Sequence, residues 1–336
     1  MNTKILTTFT VVMVYLSLSS GLVTAQEPLN YWRNPEMMIQ DQAALLFQQA
    51  HKILSRYPPS TVANDERKLA LFSLDALLHD IRLDNGRAFI DYINNQYLHV
   101  AGKLRNEQPK WREIRVYKLY NHGFVIQTPS ITIGMDIIRG GSANSPFVHD
   151  SVIRAVVDQC DILFISHQHG DHADKSVAQL FCDRKKTVVA PPGLWEGMSP
   201  HILYIRDQKT VIGAALTVYP FPGHQDNMMN NVYAITTPEG VTVMHTGDQY
   251  NSGDMEWISC VGDALKVDIL LMHSWMPETE KSIEGIKPGL IIVGHENEMG
   301  HTIDHRESYM LSFRIFKEVK TPYIIMAWGE YYTFLH

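Results

Sequence analysis

The segment His167-Gln168-His169-Gly170-Asp171-His172 follows directly on the apolar run Asp161-Ile162-Leu163-Phe164-Ile165-Ser166. That run reads as a buried strand bounded by a polar break. A loop at the C-terminal end of such a strand can bring several imidazoles and a carboxylate to one point. Neutral imidazole and carboxylate suit Zn, Fe or Mn, and the absence of a nearby thiolate argues against an iron–sulfur or Cys-rich structural site. A lone histidine here would be a structural residue. Three histidines and an aspartate within six residues point to a metal site.

Three later segments repeat the pattern of an apolar run ending in a metal-capable side chain. They are Leu216-Thr217-Val218-Tyr219-Pro220-Phe221-Pro222-Gly223-His224, then Gly240 to Asp248, then Lys287 to His295. Alone, His224 could cap a turn and Asp248 could sit in a Gly-Asp turn. With the His-x-His-x-Asp-His spacing and in this order, the set resembles the metallo-β-lactamase superfamily over the stretch from about Trp111 to the C-terminus. The resemblance implies an αββα sandwich and a dinuclear centre. His167, His169 and His224 would hold one metal, Asp171, His172 and His295 the other, and Asp248 would bridge them. Two divalent ions are expected, Zn first, with Mn and Fe as alternatives. Two ions ~3.5–4 Å apart can share a hydroxide and polarise a substrate oxygen.

Departures narrow the resemblance. Position 169 is His and not Glu, against the oxygen-reducing di-iron branch, and position 248 is Asp where the zinc β-lactamases carry Cys. Leu119-Tyr120-Asn121-His122-Gly123-Phe124 followed by Ile131 to Asp136 resembles the opening hairpin of the subgroup of ascorbate-6-phosphate lactonase and N-acylphosphatidylethanolamine phospholipase D. There Asn121 replaces a Gly and Ile137 replaces a Pro. The segment Asn231 to Ile235 resembles the same subgroup.

The start of the chain reads as a secretory signal. Lys4 precedes a mostly apolar run from Phe9 to Leu18, and Val23-Thr24-Ala25 offers a small-residue cleavage site. The run is short for a span of ~20 apolar residues, so cleavage after Ala25 and export to the periplasm or medium are expected, with no later transmembrane span. The formal charge is −7, and removal of Lys4 with the signal makes it more negative. An acidic chain without a basic run does not suit nucleic acid, so a small-molecule substrate is expected. Cys160, Cys182 and Cys260 show no Cys-x-x-Cys spacing, and no disulfide is assigned.

Residues 26–110 carry helical periodicity. Asn34-Pro35-Glu36 starts a helix whose apolar face holds Ala43, Leu46, Phe47, Ala50, Ile53 and Leu54, and Pro58-Pro59 ends it. Asn64-Asp65 caps a second helix with Ala70, Leu74, Leu77 and Ile81 as its stripe. A third carries Phe89, Tyr92, Ile93, Tyr97, Val100 and Leu104. These stripes suit a small three-helix unit packed on a core, and equally a lid or recognition surface. Residues 111–336 switch to β-branched runs at 114–120, 124–127, 161–166, 187–190, 215–221, 231–237, 241–246, 268–273, 289–293 and 323–328, with helical stretches near 173–182, 253–265 and 303–319.

Other histidines crowd the same segments. His301 is an alternative to His295 as last ligand and a candidate proton donor. His273 and Trp275 are candidate pocket residues, His122 is a candidate partner for a ligating imidazole, and His245 falls at an odd strand offset from Asp248. The expected function is that of an exported metal-dependent hydrolase cleaving an ester-type bond, phosphodiester or lactone, through a metal-bridging hydroxide oriented by Asp171. The alternatives are a catalytically silent binding protein on this fold and an iron-dependent enzyme resembling persulfide dioxygenases.

Overall fold

The computed structural model describes residues 34–213 and 216–336. The signal-peptide reading falls on residues outside these.

Three helices open the chain: α1 (Pro35–Arg56), α2 (Asp65–Leu78) and α3 (Arg87–Asn106). Asn34 and Asn64 accept hydrogen bonds from Met37 N and Arg67 N, closing the first turns of α1 and α2 as their cap positions require. The buried stripe of α1 is Ala43, Phe47, Ala50 and Leu54. Leu46 was expected on that face and is exposed, because it lies ~100° around the helix from Phe47. Ile81 is also exposed. The α-helix ends at Leu78, and Ile81 opens a one-turn 3-10 helix that breaks the i, i+4 spacing.

The rest is a four-layer αββα sandwich. The first sheet has strands β1 (Glu113–Lys118), β2 (Phe124–Gln127), β3 (Thr132–Met135), β4 (Ile162–Phe164), β5 (Thr187–Ala190) and β6 (Ile202–Tyr204). The second has β7 (Thr210–Ile212), β8 (Leu216–Gln225), β9 (Met228–Thr236), β10 (Thr242–His245), β11 (Ile269–His273), β12 (Leu290–Gly294) and β13 (Tyr323–Ile325). A last strand, β14 (Tyr331–Leu335), returns to the edge of the first sheet beside β1. The strand orders are β14-β1-β2-β3-β4-β5-β6 and β13-β12-β11-β10-β9-β8-β7.

Period-2 alternation divides the side chains between layers. Ile162 and Phe164 face the inner core with Val116, Ile126, Val218, Val243 and Leu271. Leu163 faces outward into the layer covered by helices. Helices α4 (Asp150–Val157), α5 (Lys175–Asp183), α6 (Thr279–Ile286) and α7 (Tyr309–Ile315) add to that outer layer. The opening helices join the same apolar cluster, which runs from Ala43 to Trp328. They are also tied by polar contacts: Arg67 to Glu330 at 2.6 Å and Tyr97 Oη to Ile138 O at 2.9 Å. Buried Asp75 of α2 accepts from Tyr309 N and Met310 N at 2.8 and 2.9 Å, capping α7. No described helix is long and apolar enough to cross a membrane.

Candidate metal centre

The metal-capable side chains leave the strands β4, β8, β10 and β12 near one end of the sandwich. Two groups form among the described residues. Asp171, His172, Asp248 and His295 are one, and His167, His169 and Asp248 are the other, with ligand atoms within 4.8 Å of one another. Asp248 belongs to both. Its Oδ1 lies 3.0 Å from His172 Nε2 and 3.5 Å from His295 Nε2, while its Oδ2 lies 3.8 Å from His167 Nε2. Asp171 Oδ2 sits 3.4 Å from both His172 Nε2 and His295 Nε2.

The donor set fits divalent metal. His167 Nε2, His172 Nε2, His295 Nε2 and Asp248 Oδ1 are buried and have no hydrogen-bond partner. Buried polar atoms normally have one. These four converge on two points with lone pairs that suit Zn, Mn or Fe.

Backbone conformation is tailored around them. Gly247 has φ +51°, and a Cβ there would lie 2.1 Å from Asn230 Oδ1, so glycine is needed to carry the chain into Asp248. Asn230 holds that turn by donating to Thr246 O at 2.8 Å and accepting from Asp248 N at 3.1 Å. His295 takes φ +66°, an uncommon conformation for a residue with a Cβ.

A second layer of residues sets the imidazole tautomers. Asp136 accepts from His172 Nδ1 at 2.8 Å, Ser166 Oγ at 2.5 Å and Ser166 N at 2.8 Å. With its own proton on Asp136, Ser166 Oγ accepts from His167 Nδ1 at 3.0 Å. Both histidines therefore present an unprotonated Nε2 to the centre when neutral. Asn121 donates to Asp171 Oδ2 and Asp171 O, each at 3.1 Å. It sits at φ +57°, where Asn is tolerated in place of Gly. Burial and then His172 push the His167 imidazole down to about 3. Burial favours the neutral form of His172 too, but Asp248 and Asp171 overcome it and raise its pKa well above the ordinary value. Burial raises the Asp248 carboxyl, yet His172 and His295 outweigh burial and hold it well below its ordinary range.

His224 stands outside both groups, 33% exposed at its side chain. The sequence suggests a strand, a turn and then this residue. Instead β8 continues through it, and His224 pairs with Met229 across the β8–β9 hairpin. Pro220 and Pro222 are tolerated because β7 pairs only with Leu216 to Val218, leaving their side of the strand unpaired. His224 Nδ1 lies 3.1 Å from both Asp254 carboxylate oxygens, which leaves its Nε2 free. Gln225 Nε2 donates to Asp248 Oδ2 at 3.2 Å.

His301 lies in an exposed loop, its ring 6.1 Å from that of His295 and its Nδ1 3.3 Å from His305 O. Trp275 meets His295 edge to face at 5.4 Å and lies against buried His273 at 3.8 Å, the two rings tilted by 33°. His122 is fully buried, 6.1 Å from the His172 ring. His245 points away from the centre, donating from Nε2 to His122 O at 3.0 Å and accepting from Gly247 N at Nδ1.

Sequence reasoning missed a buried ion pair. Lys118 and Glu296 are both 0% exposed and in contact. Lys118 Nζ also donates to Val293 O at 3.1 Å, so the pair clamps the loop that carries His295. A lysine inside the apolar run Val116-Tyr117-Lys118-Leu119 is the signal that points to it. Nor does any local pattern point to the contacts of Asp136 with His172, Asn121 with Asp171 and Asp254 with His224.

An uncharged cavity of about 500 Å³ lies beside the His167–His169 loop, lined by Gln168, Pro191, Leu194, Met228 and Met229.

No protein-family model matches the chain, and no curated protein matches it. Solved structures do. An isothiocyanate hydrolase from Delia radicum gut bacteria aligns at 15% identity with a TM-score of 0.52, over 66% of this chain and 100% of that one. Igni18, a metallo hydrolase from the archaeon Ignicoccus hospitalis KIN4/I, aligns at 12% identity with a TM-score of 0.50, over 67% of this chain and 99% of that one. At such identities the likeness establishes the fold: the metallo-β-lactamase-type sandwich.

Proposed function

We propose that the protein is an exported two-metal hydrolase that cleaves an ester-type bond, phosphodiester or lactone, in a small molecule. The observation that carries this reading is the division of Asp248, whose Oδ1 faces the buried, partnerless Nε2 atoms of His172 and His295 and whose Oδ2 faces that of His167. His167, His169 and His224 would hold the first ion, and Asp171, His172 and His295 the second. When bound, two Zn ions supply Lewis acidity and a water acidified from ~15.7 toward ~7.

The protein's own groups do the rest. Asn121 fixes Asp171 Oδ2 toward the second group, where the carboxylate would hold the ion and orient the attacking water. Asp136 and Ser166 keep the Nδ1 protons of His172 and His167 away from the centre. His301, at the exposed rim, has its Nε2 available to carry a proton to the leaving group. Trp275 and the uncharged cavity beside Gln168 would receive the substrate's non-reacting part.

The resemblance of the opening hairpin to the lactonase and phospholipase D subgroup supports this choice of bonds. The test is a panel on protein loaded with Zn or Mn: bis-p-nitrophenyl phosphate, several lactones, and a thioester. Turnover of a phosphodiester or lactone that is abolished by Asp248→Ala is the expected result. Turnover of none of them, or oxygen consumption with bound iron, defeats the reading. Export is checked separately by mass spectrometry of protein from its native host, which should begin at Gln26. An intact Met1 in the soluble cytoplasmic fraction contradicts it.

A further inference from the structure

We infer that the cleft between α1, α3 and β14 is a second binding site, separate from the metal centre, for a small organic anion with an apolar body. The cavity holds about 500 Å³, within the ~300–1,000 Å³ of small-molecule sites. None of its lining residues belongs to the two metal-ligand groups. Leu54, Pro58, Tyr92 and Tyr331 form its apolar side, and His51, His99 and Lys103 stand on its polar side.

The floor carries an unused polar group. Gln96 lines the cleft, and its amide, open to the cleft, makes no hydrogen bond to any described residue. The loop after Trp328 also closes tightly on this side chain. Gly329 has φ +86°, and a Cβ there would lie 2.4 Å from Gln96 Oε1. The amide is thus held in place at the floor with its hydrogen-bonding capacity unspent. That is the arrangement a polar ligand group completes.

Charge selects the sign of that group. The one carboxylate in the lining, Glu330, is already engaged by Arg67 at 2.6 Å and by Ala327 N at 2.8 Å. The His51 and His99 rings lie 6.2 Å apart. Desolvation, then His51 and Lys103, lower the His99 pKa, so its imidazole serves as a neutral N–H donor beside a lysine. Lys103 pairs with Glu107 at 2.6 Å on the partly exposed rim. Partly exposed pairs of this kind contribute little net stability, so Lys103 can turn to an anion in the cleft. A carboxylate or phosphate would meet Lys103, an imidazole N–H and the Gln96 amide, while its apolar body packs on Tyr92 and Tyr331. A neutral or cationic ligand would leave Lys103 on Glu107 and gain nothing from it.

The experiment titrates the full-length protein with 3-phenylpropanoate and, as a control with the same body and no charge, 3-phenylpropanol. Binding is read by calorimetry and by the His51 and His99 ring signals in NMR, in both metal-stripped and metal-loaded protein. The expected result is saturable binding of the carboxylate in both forms, with the His99 signal shifting and the alcohol about tenfold weaker. Lys103→Met, at a rim position where folding is not at risk, should bring the carboxylate down to the alcohol's level. Gln96→Leu, checked for its fold by circular dichroism, should weaken both probes. Equal binding of acid and alcohol, unchanged binding by Lys103→Met, no saturable shift of His99, or binding confined to metal-loaded protein would each overturn the assignment. Because no arm measures turnover, its failure is distinct from failure of the hydrolase reading.

Discussion

Removing one member of the Lys118–Glu296 pair should unfold the protein more readily and weaken metal binding near His295 together. Both residues are fully buried, and Glu296 Oε1 has a further donor in Ser312 Oγ at 3.2 Å. Desolvation pulls the Lys118 pKa down, and Glu296 opposes it. Glu296→Gln leaves the ammonium without a counter-charge, and Lys118→Met leaves the carboxylate without one. A buried charge stripped of its partner costs ~3–5 kcal/mol, a large share of the ~5–15 kcal/mol that holds a domain together. At ~2 °C per kcal/mol for a chain this long, the melting temperature should fall by roughly 6–10 °C. The double variant Lys118→Met/Glu296→Leu should recover most of that, since apolar replacement of a whole buried pair is often neutral. It should not recover full metal affinity, because the clamp from Lys118 Nζ to Val293 O is gone. Calorimetric melts and metal titrations of the three variants test both parts. Single variants that melt with the parent, or a double variant as unstable as either single one, would refute the reasoning.

Asp136→Ala strands three donors on Ser166 and His172, so it should cost several kcal/mol at ~1–3 kcal/mol per buried group and lower metal affinity ~10–100-fold, read by denaturation and chelator competition. His295→Ala should strip the second ion and cut turnover by orders of magnitude, whereas His301→Ala should keep both ions and lower turnover by as much as ~10²–10⁴-fold if it protonates the leaving group. The opposite pattern in metal content exchanges the two roles. Burial disfavours charge on His172 and His295, but Asp248 and its neighbours raise both pKa values well above normal. In metal-free protein these imidazoles therefore add stability below the unfolded pKa of ~6.5, and that stability is lost as pH rises through the folded values. Metal uptake must then release protons and tighten with rising pH, which calorimetry in buffers of different ionisation heat detects. Uptake without proton release contradicts this.

The candidate segments around His167, Asp248 and His295 are legible in the sequence because each follows a short apolar strand, whereas the place of His224 is not, because β8 runs through it into the hairpin. The stripes of α1 to α3 are legible because 3.6-residue periodicity survives over 14 residues or more. Helix α4 is not, since its 8 residues offer only two turns, and β14 is not, because it is completed by pairing with β1 far upstream. The residues behind the ligands are harder still. Asp136 meets His172 across 36 positions and Lys118 meets Glu296 across 178, and no local period encodes either contact. Asn121 is the instructive case, since its φ of +57° and its two bonds to Asp171 become visible only in the folded chain.

If Asp248 joins two metal sites, as proposed, elemental analysis of the purified chain after reconstitution with Zn shows it directly. The parent should hold two equivalents, His295→Ala one, and Asp248→Ala should lose occupancy at both sites, because its Oδ1 and Oδ2 face different groups. A parent that takes up no metal, or an Asp248→Ala protein that still holds two equivalents with unchanged affinity, would contradict the account.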